Sequence, residues 1–173
     1  MSDRLRRALR TVPDFPEPGI RFKDISPILG DPDLLQEAVG ALLAPVRDLA
    51  VTKVAGVESR GFLFGTMLAE RLGAGFVLVR KPGKLPAATV REDYALEYGT
   101  DAVEAHADAV GPGDRVLVHD DVLATGGTAA ATARLVERLG GTVVAFSFLI
   151  ELEALGGRAQ LPEGIAAHAV LRA

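Results

Sequence analysis

The chain has 173 residues, enough for one domain built on a single core, and its 49% apolar and 24% charged residues exclude a disordered or fibrous protein. Because it contains no cysteine and only three histidines, disulfides and thiolate metal sites are excluded and a zinc site is disfavoured. A net charge of −4 with few aromatic residues argues against a general nucleic-acid binder. We therefore expect one domain over residues 1–173.

The N-terminal segment MSDRLRRALR predicts a short helix, capped by Ser2 or Asp3, whose arginines form a solvated basic face. It lacks the apolar core of a signal peptide, and no apolar run in the sequence approaches the roughly 20 residues that cross a bilayer. These features predict a cytoplasmic protein that binds neither membrane nor nucleic acid. The Pro- and Gly-rich stretch VPDFPEPGIRF that follows predicts an ordered, extended segment with turns.

Helical and apolar patterns alternate through the rest of the chain. Asp31 is a plausible N-cap and Pro32 a first helical residue, ahead of an apolar stripe that predicts a covering helix. The apolar runs that predict strands are 51–57, 75–79, 115–120 and 142–150, and helical patterns occupy 62–73 and 129–140. Such alternation predicts an α/β domain with a mainly parallel sheet buried between helices.

The stretch from Arg80 to Gly99 breaks this rhythm. It has no clear apolar period before its last residues, and it is long for a connection in a compact domain. It is therefore either a hairpin or a mobile functional loop, and we favour a flexible hairpin.

One stretch, VLVHDDVLATGGT at residues 116–128, carries the strongest chemical signal. An apolar strand leads into a Gly-rich turn and then an Ala-rich helix, and anions bind at such helix N-termini beyond the carboxyl ends of strands. Glycines let the backbone approach a phosphate, and threonine hydroxyl groups donate to it. The residues of this predicted phosphate turn are Ala124, Thr125, Gly126, Gly127 and Thr128.

Two adjacent carboxylates, Asp120 and Asp121, precede the turn. Ionised carboxylates only accept hydrogen bonds, so they suit the vicinal hydroxyl groups of a ribose and favour a nearby divalent cation. The stretch therefore predicts a sugar-phosphate site, with the 5′-phosphate on the turn and the 2′- and 3′-hydroxyl groups on the aspartates. A Walker lysine is missing, which disfavours a nucleoside triphosphatase.

The sequence HDDVLATGGT resembles the phosphoribosyl pyrophosphate motif of type I phosphoribosyltransferases. Four further stretches resemble the members of that family that use adenine, and they occur in the same order over nearly the whole sequence: DFPEPGIRFKDISPIL, GVESRGFLFG, VRKPGKLPAATV and YALEYGTDAVEAH. The resemblance implies the family fold, in which helices flank the sheet, with a flexible catalytic hairpin loop, a small hood and a homodimer. It also implies a reaction, in which adenine and phosphoribosyl pyrophosphate give AMP and pyrophosphate with Mg²⁺.

Site residues follow from the same resemblance. Pyrophosphate departs from an oxocarbenium-like sugar, so its charge needs stabilisation by Mg²⁺ and by cationic side chains. Mg²⁺ is expected to be held mainly through the substrate, near the two aspartates, with no direct protein site. The residues matched to the pyrophosphate are Ser59, Arg60, Arg80 and Lys84, of which Arg60 and Lys84 are also expected to act in catalysis. From the residues alone, an ion pair of Arg60 with Glu58 or another acid is equally possible.

Glu97 matches the family's proposed general acid/base, which would manage the proton on the purine imidazole ring. Taken alone, a carboxylate in such a loop is more often just solvated. Tyr98 and Tyr94 are expected to pack the closed loop or to lie on the surface. For the base, Phe22 would stack on the purine, and Leu152 would form the opposite apolar face. Backbone contacts would come from Arg21 and Lys23, and plain core packing is the alternative for both apolar residues.

Two alternative functions have sequence requirements of their own. A phosphoribosyltransferase for hypoxanthine or guanine would carry a lysine after the strand that follows the motif helix, and FLIELEALGG has none. A non-catalytic sensor that binds nucleic acid would need an added domain or a basic face.

The sequence also departs from the family at His119, where an apolar residue is usual. We interpret His119 as a strand residue that a neighbour satisfies, not as a catalyst.

Overall fold

The structure is a computed structural model that describes residues 3–95 and 99–173. In chain order its elements are α1 (Asp3–Ala8), β1 (Arg10–Pro13), β2 (Arg21–Asp24), α2 (Ser26–Leu29), α3 (Pro32–Leu43), β3 (Lys53–Val57), α4 (Gly61–Leu72), β4 (Gly75–Val79), β5 (Thr89–Ala95), β6 (Thr100–His106), β7 (Arg115–Leu123), α5 (Gly127–Arg138), β8 (Thr142–Glu151) and β9 (Ala167–Arg172). Two short 3₁₀ turns, Glu153–Leu155 and Gly157–Gln160, connect the last two strands.

A five-stranded parallel sheet forms the centre of the domain, in the order β4-β3-β7-β8-β9. The first of these strands in sequence, β3, has β4 on one side and β7 on the other. The direction of winding therefore reverses between β3 and β7, and ligands of open α/β sheets bind beyond the carboxyl ends of strands at such a switch point.

Different layers cover the two faces of the sheet. Helices α1 to α4 bury one face, whose core includes Phe64, Leu117 and Leu149. The other face is covered by α5 and by the antiparallel hairpin of β5 and β6, around Phe146 and Phe148. The small antiparallel sheet of β1 and β2 lies beside the carboxyl end of β3 as a hood.

Most of the predicted elements are present. The four predicted strands are β3, β4, β7 and β8, and α3 begins where it was expected, because Asp31 accepts hydrogen bonds from the N–H groups of Asp33 (2.9 Å) and Leu34 (3.1 Å). The fifth strand, β9, was not predicted. The 80–99 stretch does contain a hairpin strand, β5, but its partner β6 lies beyond that stretch, and residues 81–88 form no helix or strand.

In the described part of the protein, no helix combines the length and the apolar character that a membrane crossing requires.

Candidate functional site

A cavity of about 590 Å³ opens at the switch point. The hood, the loop after β3, the end of β7 and the start of α5 all contribute to its walls. Its lining residues are Ile20, Arg21, Phe22, Lys23, Glu58, Ser59, Arg60, Asp120, Asp121, Val122, Ala124, Thr128 and Leu152. The structure therefore brings together both aspartates, the arginine of ESRG and all four residues expected at the base, although these come from four separate parts of the sequence.

The predicted phosphate turn forms a smaller recess of about 60 Å³ next to the cavity. Ala124, Thr125, Gly126 and Thr128 line it, and Gly127 begins α5 directly behind them. Gly126 has a φ of +83°, which a larger residue would adopt only with strain. The amide end of α5 and the hydroxyl groups of the turn make this recess suitable for one phosphate group.

The back of the phosphate turn is closed by backbone. A Cβ atom on Gly126 would lie 2.1 Å from the carbonyl oxygen of Gly157, and one on Gly157 would lie 2.1 Å from that of Ala124. The two glycines therefore interlock the turn with the 3₁₀ turn that follows β8. Leu152, at the start of the same connection, donates its N–H to the carbonyl of Leu123 at 2.9 Å.

The two aspartates form the floor of the cavity at the end of β7. Burial and the adjacent charge of Asp121 raise the pKa of Asp120 well above its ordinary value, and burial also raises the pKa of Asp121, partly offset by Arg60. Asp120 Oδ1 accepts the N–H of Asp121 at 2.8 Å. The start of α4 can pack on this carboxylate because residue 61 is glycine, whose Cβ would lie only 2.9 Å from Asp120 Oδ1.

Arg60 pairs with the floor of the cavity rather than with Glu58. Its Nε lies 2.7 Å from Asp121 Oδ2, in an ion pair whose angle is too poor for a hydrogen bond, so that this buried oxygen accepts none from the described residues. The guanidinium carbon also lies 4.8 Å from the centre of the Phe22 ring. Arg60 thus connects the aspartates to the hood by charge on one side and by a cation–π contact on the other.

Glu58 instead holds the two cations from the loop after β4. Arg80 donates to both Glu58 oxygens, at 3.0 and 3.3 Å, and Lys84 Nζ lies 3.8 Å away. The hydrogen bond from Arg80 is the largest cause that lowers the pKa of Glu58 below its usual value. Arg80 and Lys84 themselves do not line the cavity, but they surround a residue that does.

Phe22 lies on β2, within the hood. Phe15 meets it edge to face at 5.0 Å between ring centres. Lys23 donates from Nζ to Thr11 Oγ1 of β1 at 3.1 Å, so its ammonium group is used within the hood. Leu152 lines the cavity as well. A flat ring and an aliphatic group therefore line the same cavity.

The prediction that a neighbour satisfies His119 is wrong. Its ring is fully buried against Phe64, and neither ring nitrogen has a hydrogen-bond partner among the described residues. Burial lowers its pKa to about 4, which the backbone of Ser147 on β8 offsets only in part. The ring lies between a sheet and an apolar helix, and the hydroxyl group of Ser147 is itself unpaired within that part of the protein.

Two predicted residues, Glu97 and Tyr98, lie outside the described residues.

Sequence reasoning missed Lys81, whose ammonium group contacts Asp101 and Tyr94 close to the phosphate turn. The two adjacent basic residues at the start of RKPGK could have indicated Lys81, but its partners are 13 and 20 positions away in the sequence.

No cluster of three or more metal-binding residues occurs in 3–95 and 99–173. Carboxylate oxygens such as those of the paired aspartates are ligands that Mg²⁺ accepts.

Together, the sheet order and the site define an α/β protein with an anion recess and a carboxylate pair at its switch point. A model of the phosphoribosyl transferase domain matches residues 33–160. The adenine phosphoribosyltransferase of Gloeobacter violaceus is 58% identical over 167 residues, which are 96% of this chain and 98% of that protein. The chain belongs to the phosphoribosyltransferase family and, within it, to the adenine phosphoribosyltransferases.

Solved structures agree with this assignment. The adenine phosphoribosyltransferase from Rhodothermus marinus is 62% identical, with a TM-score of 0.96 over 99% of this chain and 97% of that one. A Trypanosoma brucei adenine phosphoribosyltransferase, solved with AMP, pyrophosphate and ribose-5-phosphate, is 25% identical, with a TM-score of 0.89 over 99% of this chain and 82% of its own. The expected fold, that of the type I phosphoribosyltransferases, is confirmed.

Proposed function

We propose that this protein is a pentosyltransferase of purine salvage, which transfers the 5-phosphoribosyl group of phosphoribosyl pyrophosphate to adenine and releases AMP and pyrophosphate. One observation carries the proposal: the aspartate pair and Arg60 share a single cavity with the aromatic hood, directly beside the phosphate recess. Each chemical part of the two substrates therefore has a matching surface within one site.

The 5′-phosphate would occupy the recess, where the hydroxyl group of Thr125 and the backbone N–H groups of the turn donate hydrogen bonds to it. The ribose 2′- and 3′-hydroxyl groups would donate to Asp120 and Asp121. Support comes from the raised pKa of both carboxyls, because buried acceptors with too few donors gain most from a ligand that supplies them.

Pyrophosphate would leave toward the loop after β3. On that side lie the guanidinium group of Arg60, the hydroxyl group of Ser59 and the cations Arg80 and Lys84. These groups would stabilise the negative charge that accumulates on pyrophosphate as the C1′–O bond breaks. Mg²⁺ bound together with the substrate would neutralise further charge on the leaving group, near the two aspartates. Binding by fixed cations also keeps the sugar oriented for attack by the base.

Adenine would lie between Phe22 and Leu152, which line the same cavity. The backbone of Arg21 and Lys23 would read its 6-amino group and N1, since peptide carbonyl and N–H groups can distinguish an amino group from a 6-oxo group. A purine that stacks on Phe22 must share the ring with Arg60, which supports binding of the sugar phosphate and the base as one unit.

Glu97 is proposed as the group that handles the imidazole proton of the base, and Tyr98 as its packing neighbour, on the resemblance of LEYG to the family alone. Replacement Glu97→Gln should lower kcat more than it changes substrate affinity, and an unchanged kcat would remove Glu97 from the chemistry. We also propose that the protein acts as a homodimer in the cytoplasm.

A base-panel assay tests the function. Purified protein, Mg²⁺ and phosphoribosyl pyrophosphate are incubated with adenine, hypoxanthine, guanine or uracil, and the nucleotide products are separated by chromatography. AMP from adenine alone is the expected result. Inosine or guanosine monophosphate would instead assign the protein to 6-oxopurines. A folded protein that binds phosphoribosyl pyrophosphate yet forms no nucleotide would be a sensor.

A further inference from the structure

A network of four residues links the phosphate turn to the β5–β6 hairpin. Tyr94 is its centre: its hydroxyl group accepts from Lys81 Nζ at 3.0 Å and from Thr128 Oγ1 at 3.1 Å, and donates to Asp101 Oδ2 at 3.1 Å. A phenol has one donor and two acceptor positions, so Tyr94 uses its full hydrogen-bonding capacity. Lys81 also forms an ion pair with Asp101.

These contacts fix the Lys81 ammonium group from several sides. Its backbone N–H donates to Glu58 at 3.0 Å, and its Nζ lies 5.5 Å from the centre of the Tyr94 ring. Tyr94 and Asp101 are cross-strand partners in the hairpin, and Tyr94 is only 7% exposed. The position of the lysine head group is therefore set by a buried phenol and a carboxylate on two paired strands, although its aliphatic stem is long and flexible.

Thr128 gives the network a connection to the substrate. Its hydroxyl group belongs to the predicted phosphate turn, and two hydrogen bonds through Tyr94 separate it from Lys81. We propose that Tyr94 and Asp101 are positioning residues, which hold the Lys81 ammonium group beside Thr128, ready for the phosphate groups of phosphoribosyl pyrophosphate. This inference rests on the proposed function and extends it to residues that do not line the cavity.

Electrostatics alone gives the opposite expectation for Asp101. Removal of a negative charge close to an anion site should strengthen binding of the anion. If Asp101 positions Lys81, its neutral replacement instead weakens binding, because the lysine must then be ordered when the substrate arrives. The sign of the effect therefore separates positioning from charge.

The experiment measures the affinity for phosphoribosyl pyrophosphate by titration calorimetry with Mg²⁺ and without adenine, so it does not depend on turnover. We expect Asp101→Asn to weaken binding about tenfold and Tyr94→Phe by a smaller factor. Asp93→Asn is the matched control, since it removes an acid of the same hairpin that pairs with Arg91 on the surface, and its affinity should equal that of the parent. Equal or tighter binding by Asp101→Asn overturns the proposal.

Two further measurements exclude a merely structural role. In steady-state assays Asp101→Asn should raise KM for phosphoribosyl pyrophosphate while KM for adenine stays unchanged, whereas a damaged fold changes both. In a Lys81→Gln background, Asp101→Asn should add no further loss, because its partner is already absent. An additional loss there would overturn the assignment. If Asp101→Asn does not fold, Tyr94→Phe and Asp101→Glu replace it in the same measurements, with and without Lys81→Gln. A parent that binds phosphoribosyl pyrophosphate but makes no AMP would contradict the proposed function and leave this binding test intact.

Discussion

Asp120 on the floor of the cavity and Glu58 at its rim are both carboxylates, yet their surroundings move their pKa in opposite directions. Burial and Asp121 raise the pKa of Asp120, whereas hydrogen bonds from Arg80 lower that of Glu58. His119, which precedes Asp120 on the same strand, is also buried without a hydrogen-bond partner among the described residues. Glu58 at the rim, by contrast, accepts hydrogen bonds from the Arg80 side chain and from the backbone N–H of Lys81.

This difference separates two tasks. Polar groups that fold without enough partners cost stability, and they regain free energy when a ligand supplies those partners. Groups that already have partners stabilise the fold and hold nearby cations in position. Under the proposed function, the sugar supplies the hydrogen-bond donors that the floor lacks, whereas the rim has its donors before substrate binds.

Loss of both floor carboxylates should have the largest effect. Asp120→Asn combined with Asp121→Asn removes the two charged acceptors proposed for the ribose, so kcat/KM for phosphoribosyl pyrophosphate should fall about a thousandfold. Initial rates at varied phosphoribosyl pyrophosphate measure it, with thermal unfolding as the check on folding. A loss smaller than tenfold would contradict the role of the floor.

His119 should make the fold sensitive to acid. Because its pKa is about 4 in the folded protein and 6.5 in the unfolded state, the folded state binds fewer protons between these values. Stability is therefore complete above pH 6.5 and falls as the pH drops toward 4, by about 3 kcal/mol from this residue. Denaturant titrations at pH 7 and pH 4.5 should show that His119→Val loses less stability than the parent. An equal loss in both proteins would show that the imidazole is not the cause.

Glu58→Gln tests the rim. The variant keeps the shape but loses the charge that holds Arg80 and Lys84, so the free energy of unfolding should fall by about 2 kcal/mol and KM for phosphoribosyl pyrophosphate should rise. Chemical denaturation and steady-state kinetics measure the two changes. Glu70→Gln, which removes an exposed pair with Arg71, is the control and should change neither. A Glu58→Gln variant that resembles this control would remove the distinction between rim and floor.

Asp120→Asn alone should have the smallest effect on stability, with the opposite sign. A raised carboxyl pKa means that ionisation costs folding free energy above that pKa, and that the cost disappears as the pH falls through it. The amide removes this cost at neutral pH, so stability should rise by about 1 kcal/mol, or a Tm increase of about 2–4 °C, while activity falls. Calorimetry at pH 7.5 and pH 4 checks it: the gain should be present at the higher pH and shrink at the lower. A decrease at pH 7.5 would mean that Asp120 carries a structural role.

Local patterns in the sequence predicted much of this fold. The N-cap at Asp31, the apolar runs and the Gly-rich turn act within a few residues, so α3, four strands of the central sheet and the phosphate turn could be located. Strand β9 could not, because an edge strand of mixed residues, partly exposed along most of its length, has no strong period of its own. Its place is set by pairing with β8.

The partners of the site residues needed the structure. The sequence allowed Arg60 to pair with Glu58 or with another acid, and the fold selects Asp121, 61 positions away. Lys81 was overlooked for the same reason, since Lys81 follows β4 and its carboxylate partner Asp101 lies on β6. His119 was placed correctly in a strand, but whether its ring finds a partner depends on the helix that packs over it.

The interlocked glycines behind the phosphate turn have a consequence for redesign. Gly157 closes the back of the turn, and it belongs to the same connection as Leu152, which lines the proposed base site. Insertions or deletions that reshape this connection to admit a different base would also shift the wall behind the phosphate. A change of base preference is therefore better sought by point substitution at residue 152 or in the hood, since the two ends of the nucleotide share one piece of backbone.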